Sequence, residues 1–291
     1  HTHGYKAGLF GRAAARLLGV PVVSTFHSGA RSTWPVWAYE WADEWSAFLG
    51  ESIAVSPDVA ARLPWRAAVM SSFVRLPPIP VSPALPAHVA FVGRLSPEKN
   101  PERFCELAVR SGNSELSWNV YGDGPMRADL EARYAHVVHF HGAVSLMDNV
   151  WPTIGLLIMP SRFEGVPLAA LEAMSFGVPV LASPVGGLRW MIKNGVNGWH
   201  FPSDDPASGL AAIAAWKALT ASQQCRLRET CRCYVAEHFS PQAQFGKLKE
   251  VYQRAGLPAR ALDKLNGLAL LAAQRAPELS RDADRPVRGL V

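Results

Sequence analysis

The segment from Pro160 to Val180 (Pro-Ser-Arg-Phe-Glu-Gly-Val-Pro-Leu-Ala-Ala-Leu-Glu-Ala-Met-Ser-Phe-Gly-Val-Pro-Val) concentrates the residues best suited to chemistry. The apolar run just before it, Gly155 to Met159, has the length and character of a buried parallel strand. Pro167 suits the first turn of a helix, where a missing N–H costs nothing. Gly177 suits its end, and Pro179 forbids continuation. Glu164 therefore falls between a strand's carboxyl end and a helix N-terminus, with Glu172 one to two turns inside that helix. A helix N-terminus attracts anions through its unpaired N–H groups and its dipole. Carboxylates beside it suit hydroxyls or a developing cation instead. A ligand with both phosphate and hydroxyls, such as a nucleotide sugar, satisfies the two requirements together.

Arg94 and Lys99 lie in the loop after another predicted strand, His88 to Val92, which Gly93 closes. Two fixed cations there can clamp a diphosphate and stabilise it as a leaving group. The alternative is a pair of solvated surface charges. Gly122 and Gly124 flank Asp123 in a third strand-end loop, which allows close backbone approach or serves only as a turn. Gly186-Gly187 carries the same two readings. His27 follows a strand and is either structural or a contact to a sugar from a facing domain; His1 and His3 remain open. His139 and His141 sit two apart on one strand, with no third ligand placed nearby, so no metal site is expected.

These loops require an order of strand, helix, strand, helix, which predicts a doubly wound α/β fold with ligands gathered outside the strand carboxyl ends. Helices are expected over 5–18, 34–48, 101–111, 126–134, 206–219, 221–237 and 239–256. Strands are expected over 20–25, 52–55, 69–74, 88–92, 117–121, 137–140, 155–159 and 178–182. Five prolines, Pro77, Pro78, Pro80, Pro83 and Pro86, mark residues 76–87 as a linker. The expected division is a first domain over 1–75, a fuller second domain over 88–237, a helix at 238–256 packing back on the first, and a tail from 257 to 291.

A chain of 291 residues can bury two cores. Its net charge of +5 favours anionic partners, but no Lys/Arg-rich run or aromatic-basic strip points to nucleic acid. Cys105, Cys225, Cys231 and Cys233 fit free thiols of a cytosolic protein. No apolar run approaches the roughly 18 residues of a spanning helix. The helix from Gly4 to Leu18 carries Lys6, Arg12 and Arg16 beside Phe10, Leu17 and Leu18. It reads as an ordinary surface helix, with an anionic membrane surface as the alternative. Trp34, Trp37, Trp41 and Trp45 follow helical spacing; packing is the favoured reading and an acceptor-binding wall the other.

Phe91-Val92-Gly93-Arg94-Leu95 with Glu98-Lys99-Asn100, then Tyr121-Gly122-Asp123-Gly124-Pro125, then Glu164 and Glu172 in an E-x7-E arrangement, resemble the retaining glycosyltransferases of GT-B fold, group 1 type. The resemblance is strongest over 88–202 and extends from His1 to about Gly256. It implies two Rossmann-like domains facing across a cleft, a UDP- or GDP-sugar as donor, and no cofactor or required metal. It places Arg94 and Lys99 on the donor diphosphate, Glu164 at the transferred sugar, and Glu172 on the ribose. It assigns Gly165, Val166, Pro167 and Leu168 to the loop whose amides meet phosphate and sugar, and His27 to the histidine that the first domain presents. The implied acceptor is a glycan, a lipid-linked sugar or a small molecule, on the cytoplasmic face and with peripheral membrane contact in reach.

Departures accompany the likeness. The family's opening strand and Gly-rich loop, about 80 to 100 residues at ordinary βα lengths, have no counterpart before His1, which predicts a truncated first domain. Trp190 stands where an acid often follows the Gly-Gly pair, and Ser71-Ser72-Phe73 replaces the usual Asn-Gly. A catalytically inactive nucleotide-sugar-binding module and a sugar-nucleotide epimerase on the same fold are the remaining alternatives.

Overall fold

The structure is a computed structural model that describes residues 1–27, 34, 36–78, 86–112 and 115–258. Most of the Pro-rich linker (79–85) and most of the tail (259–291) lie outside the described residues.

The first sheet is built from β1 (Thr2–His3), α1 (Tyr5–Leu18), β2 (Val23–Phe26), α2 (Val36–Trp45), β3 (Glu51–Ala54), α3 (Pro57–Arg62) and β4 (Ala68–Val69). Its strands are all parallel in the order β1-β2-β3-β4. Gly19 ends α1 in the left-handed conformation at φ 65°, which only glycine adopts cheaply. Ser56 caps α3 by accepting the Val59 N–H, with Pro57 at the first helical position.

The second unit comprises β5 (His88–Val92), α4 (Pro101–Ser111), β6 (Ser117–Tyr121), α5 (Arg127–Tyr134), β7 (His139–Gly142), β8 (Leu156–Met159), α6 (Leu168–Ser175), β9 (Val180–Ala182), α7 (Leu188–Met191), β10 (Gly198–His200), α8 (Pro206–Lys217) and α9 (Ala221–Phe239). Its six parallel strands run β10-β9-β8-β5-β6-β7. Strand side chains alternate between faces. Val89, Phe91, Leu156, Ile158 and Leu181 pack with Phe104 and Leu107 of α4 and Trp216 of α8. Ala90, Leu157, Met159, Val180 and Ala182 pack with Leu171 and Met174 of α6 and Val235 of α9. Helices thus cover both faces, which is why these strands are apolar throughout.

A last helix, α10 (Pro241–Arg254), returns to the first sheet, where Val251 packs on Val23 and Ile53. The two passages between the sheets run side by side: the Val74 N–H donates to the Phe239 carbonyl at 2.9 Å. Arg232 on α9 donates to the carbonyls of Ser175 at 2.7 Å and Pro77 at 2.9 Å, tying both passages to α6.

Three expectations change. The strand predicted over 69–74 is only Ala68–Val69, because the chain then leaves the sheet to cross over. Packing does not bury the tryptophan cluster: Trp34, Trp37, Trp41 and Trp45 are 73%, 46%, 52% and 49% exposed. The indoles lean on one another instead, with Trp41 and Trp45 centroids 5.8 Å apart and Trp45 and Trp65 6.5 Å apart. Arg12 is no part of a basic surface on α1. It is buried, donating to Ser24 Oγ at 2.8 Å and to the Asp43 carboxylate. Burial raises the Asp43 carboxyl pKa, and the Arg12 guanidinium opposes that rise.

Candidate functional site

Strand order in the second sheet reverses between β8 and β5, which follow each other in space but not in sequence. Loops leaving the two strands must diverge there, opening a crevice at their carboxyl ends. Residues 93–100 leave β5 and residues 160–167 leave β8, so that crevice holds Arg94, Lys99 and Glu164.

Lys99 Nζ lies 2.7 Å from Glu164 Oε1 and 2.7 Å from Oε2. Ser161 Oγ donates to Glu164 Oε1 at 2.8 Å. The Glu164 side chain is 4% exposed, so its charge depends on these partners. The two loops are bound together through backbone. The Arg162 N–H donates to the Glu98 carbonyl at 2.8 Å, and the Asn100 side-chain amide donates to the Pro160 carbonyl at 3.2 Å. Asn100 has φ 52°, a left-handed conformation that asparagine tolerates and that turns the chain into α4 at Pro101. The Ser96 hydroxyl donates to Glu98 at 2.6 Å, and this bond is the main reason that the Glu98 carboxyl pKa is lowered.

A cavity of about 210 Å³ lies between the loops, lined by Gly93, Arg94, Lys99, Ser161, Pro167 and Leu168. A larger one of about 610 Å³ is lined by Arg75, Asp148, Glu172 and Ser175, and Leu168 borders both. The α6 N-terminus therefore faces the join. Pro167 precedes the first helical residue rather than occupying it, with φ −74° and ψ 121°. Its carbonyl starts the helix by accepting from the Ala170 N–H at 3.2 Å. Glu172 is half-buried; burial raises its carboxyl pKa, the Trp151 indole opposes the rise, and the Asp148 carboxylate adds to it.

The glycines divide by what they touch. A Cβ on Gly186, at φ 47°, would lie 1.9 Å from the Glu164 carbonyl oxygen, and the Gly187 N–H donates to the Gly165 carbonyl at 2.7 Å. The Gly186-Gly187 turn thus packs directly against the acid loop. A Cβ on Gly122 would lie 1.9 Å from the Gly93 carbonyl oxygen, and one on Gly124 would lie 2.5 Å from that of Leu95. These two let the strand-end loops of β5 and β6 touch. Asp123 accepts from the Gly124 N–H at 2.7 Å and from Arg127 at 2.9 Å, which is turn and helix-start chemistry. Trp190, at the position where the resembled family often carries an acid, stacks on Phe239 at 5.8 Å.

The backbone of His27, just beyond β2, reaches the acid loop: its carbonyl oxygen lies 3.9 Å from where a Cβ on Gly165 would sit, while the residue lines a separate small cavity with Tyr5 and Glu40. Its ring Nε2 is 2.9 Å from His3 Nδ1. Burial lowers the His27 pKa, and His3 lowers it further. His139 and His141 are far from this arrangement in the sheet, at its β7 edge; His141 stacks on Tyr121 at 4.5 Å and contacts Asn119 Oδ1 at 2.7 Å. Among the described residues no group of three or more His, Cys, Asp or Glu is placed to hold a metal ion. Nor is any described helix long and apolar enough to cross a membrane.

The structure brings Lys99 and Glu164 into contact, and sets Gly165 against His27. Sequence reasoning gave no role to Ser161, Asn100 or His3. Ser161 precedes Glu164 by three residues, and Asn100 precedes a proline at a helix start. Both were visible as local signals.

Residues 86–217 match the family described as glycosyl transferases group 1, and residues 1–71 match glycosyltransferase family 4. A curated relative, UDP-Gal:alpha-D-GlcNAc-diphosphoundecaprenol alpha-1,3-galactosyltransferase of Escherichia coli, is 26% identical over 87% of this chain and 74% of its own length. The D-inositol 3-phosphate glycosyltransferase of Thermobispora bispora is 28% identical over 74% of this chain and 61% of its own length. Other relatives are spanned less fully, 32% for the corresponding protein of Geodermatophilus obscurus. The fold is similar to that of Anabaena Alr3699/HepE, solved in complex with UDP, at a TM-score of 0.73 and 17% identity over 87% of this chain and 79% of that one. Two parallel sheets with their strand ends turned to one crevice, matched along both parts of the chain, make this a GT-B protein that belongs to the glycosyltransferases of group 1.

Proposed function

We propose that the chain transfers a sugar, with retention of anomeric configuration, from a UDP- or GDP-sugar to a glycan or lipid-linked acceptor. The observation that carries this reading is the Lys99–Glu164 pair, both carboxylate oxygens meeting a lysine that lines the switch-point cavity. A cation and an acid held together there have complementary tasks once a donor arrives. The diphosphate takes Lys99 and Arg94, which offset charge on the departing group in place of a solvent shell. Glu164 is then free to accept hydrogen bonds from the sugar hydroxyls. The amides of Gly165 to Leu168, at the start of α6, add a fixed partial charge.

Glu172 borders the larger cavity and suits the ribose hydroxyls, with Leu168 between ribose and diphosphate. His27, whose carbonyl comes up to Gly165 from the first sheet, is the residue we assign to the transferred sugar. Relatives and fold neighbours named for UDP or UDP-sugars favour uridine over guanosine as the base. The E. coli relative is named for a diphosphoundecaprenol-linked acceptor, which favours a lipid-linked acceptor and action at a membrane face.

The test measures release of UDP or GDP from a panel of nucleotide sugars, with and without lipid-linked acceptors, and the anomer of the product. Glu164→Ala and Lys99→Ala are expected to abolish transfer. Full turnover in either variant would sink the assignment. Donor consumption without any acceptor, giving an isomerised sugar nucleotide, would favour an epimerase.

A further inference from the structure

We propose that His3 is a positioning residue for His27, fixing the ring orientation and tautomer with which His27 meets the transferred sugar. The inference rests on the reading that His27 faces that sugar.

The arrangement follows from strand register. β1 and β2 run parallel with His3 beside Thr25, so His3 and His27 emerge at the same carboxyl edge of the sheet. His3 Nδ1 lies 2.9 Å from His27 Nε2, with ring centroids 5.2 Å apart. His3 is held in turn. The His1 ring stacks on it at 4.5 Å and an interplanar angle of 19°. His1 is anchored by Thr25 Oγ1 at 2.7 Å and by Tyr252 Oη of α10 at 2.6 Å. A fixed line of side chains therefore runs from α10 through β1 to the end of β2.

Two imidazole nitrogens at hydrogen-bond distance hold one proton between them. One ring donates and the other accepts. The contact commits His27 Nε2 and leaves Nδ1 as the ring nitrogen for a ligand, with its protonation coupled to that of His3. One added proton leaves an imidazolium donating to an imidazole and keeps the bond; only when both rings are cationic is it lost and two like charges set together. The same logic agrees with the lowered His27 pKa, which burial and then His3 produce. Other titratable groups surround His27. Tyr5, Glu40, Asp43, Glu44 and Arg62 line the small cavity with it, Asp43 being paired to Arg12 and Glu44 to Arg62. Across the crevice, Glu164 is paired to Lys99.

The test is histidine ring NMR and steady-state kinetics on the chain and two variants, His3→Leu and His3→Gln, with circular dichroism to establish folding. In the unsubstituted chain, His27 is expected in a single tautomer, titrating below the ordinary histidine value. In His3→Leu the tautomers should mix and the titration should move up. Turnover should fall about tenfold, the worth of one lost hydrogen bond, with much less change in KM. His3→Gln, whose carboxamide can still donate to Nε2, should recover most of the turnover. An unchanged His27 tautomer and titration in a folded His3→Leu would overturn the proposal. So would an equal loss in His3→Gln with a normal His27 spectrum. Absence of transfer by the unsubstituted chain would count against the glycosyltransferase reading alone, because the ring spectra report on the pair without turnover.

Discussion

Both carboxylate oxygens of Glu164 lie 2.7 Å from Lys99 Nζ, so the acid proposed for the sugar holds the cation proposed for the diphosphate. The pairing keeps a nearly buried carboxylate compensated while no donor is present. In the proposed roles, a donor's phosphates would compete for Lys99, coupling diphosphate binding to the release of Glu164 toward the sugar.

Breaking that pair from one side should cost stability as well as activity. In Lys99→Ala, Glu164 loses its counter-ion at 4% exposure. Buried pairs broken in this way cost about 3–5 kcal/mol, and solvent reaching Lys99 brings the expected loss here to roughly 2 kcal/mol. The double substitution Lys99→Met with Glu164→Gln should recover most of it and remain inactive. Urea denaturation of the three proteins measures the difference. Equal stability of the single and double variants would argue against a compensated pair.

Glu172 carries a pH dependence of definite sign. Its raised pKa means that folding favours the protonated acid. Its contribution to stability is therefore present at low pH and is lost as pH rises through the folded-state pKa. If the ionised carboxylate accepts the ribose hydroxyls, UDP affinity should move the opposite way, weakening as pH falls through that raised value. Glu172→Gln is expected to leave stability at neutral pH unchanged or improved while weakening UDP several-fold, the scale of one charge-assisted hydrogen bond. Calorimetric titration with UDP across acidic and neutral pH reads both effects.

Gly186→Ala should disable the site from a distance. A methyl there meets the Glu164 carbonyl oxygen at 1.9 Å, and the backbone at φ 47° is unfavourable for alanine. The acid loop must shift, and displacement on that scale can cost about a hundredfold in rate. Donor binding and turnover should both fall while far-ultraviolet circular dichroism stays close to that of the parent. Unaltered kinetics would show that the turn does not set the acid's position.

In the first sheet, the buried Arg12–Asp43 pair is the expected weak point. Arg12 is 1% exposed and bonds Ser24 and Ser46 as well as Asp43. Asp43→Ala leaves that guanidinium without its carboxylate and should cost about 3–5 kcal/mol. Differential scanning calorimetry should show the loss, whereas UDP affinity at the second sheet should change little.

Sequence alone determined the regular elements wherever local chemistry punctuates them. Helix Pro101–Ser111 lies between a proline at its first position and Gly112 in a left-handed conformation. Strand His88–Val92 is an unbroken apolar run after its first residue, buried on both faces. The loops holding Arg94, Lys99 and Glu164 were legible for the same reason: each begins where such a strand stops. Tertiary structure decided which of those residues meet. Lys99 and Glu164 are separated by 65 positions, and only the reversal of strand order between β8 and β5 puts their loops side by side. It also turned the tryptophans of α2 outward and drew Arg12 inward. It brought His3 to His27 through parallel strand pairing. Spacing along a helix or strand defines which residues share a face; what that face meets depends on elements distant in the chain, and those contacts are long-range by nature.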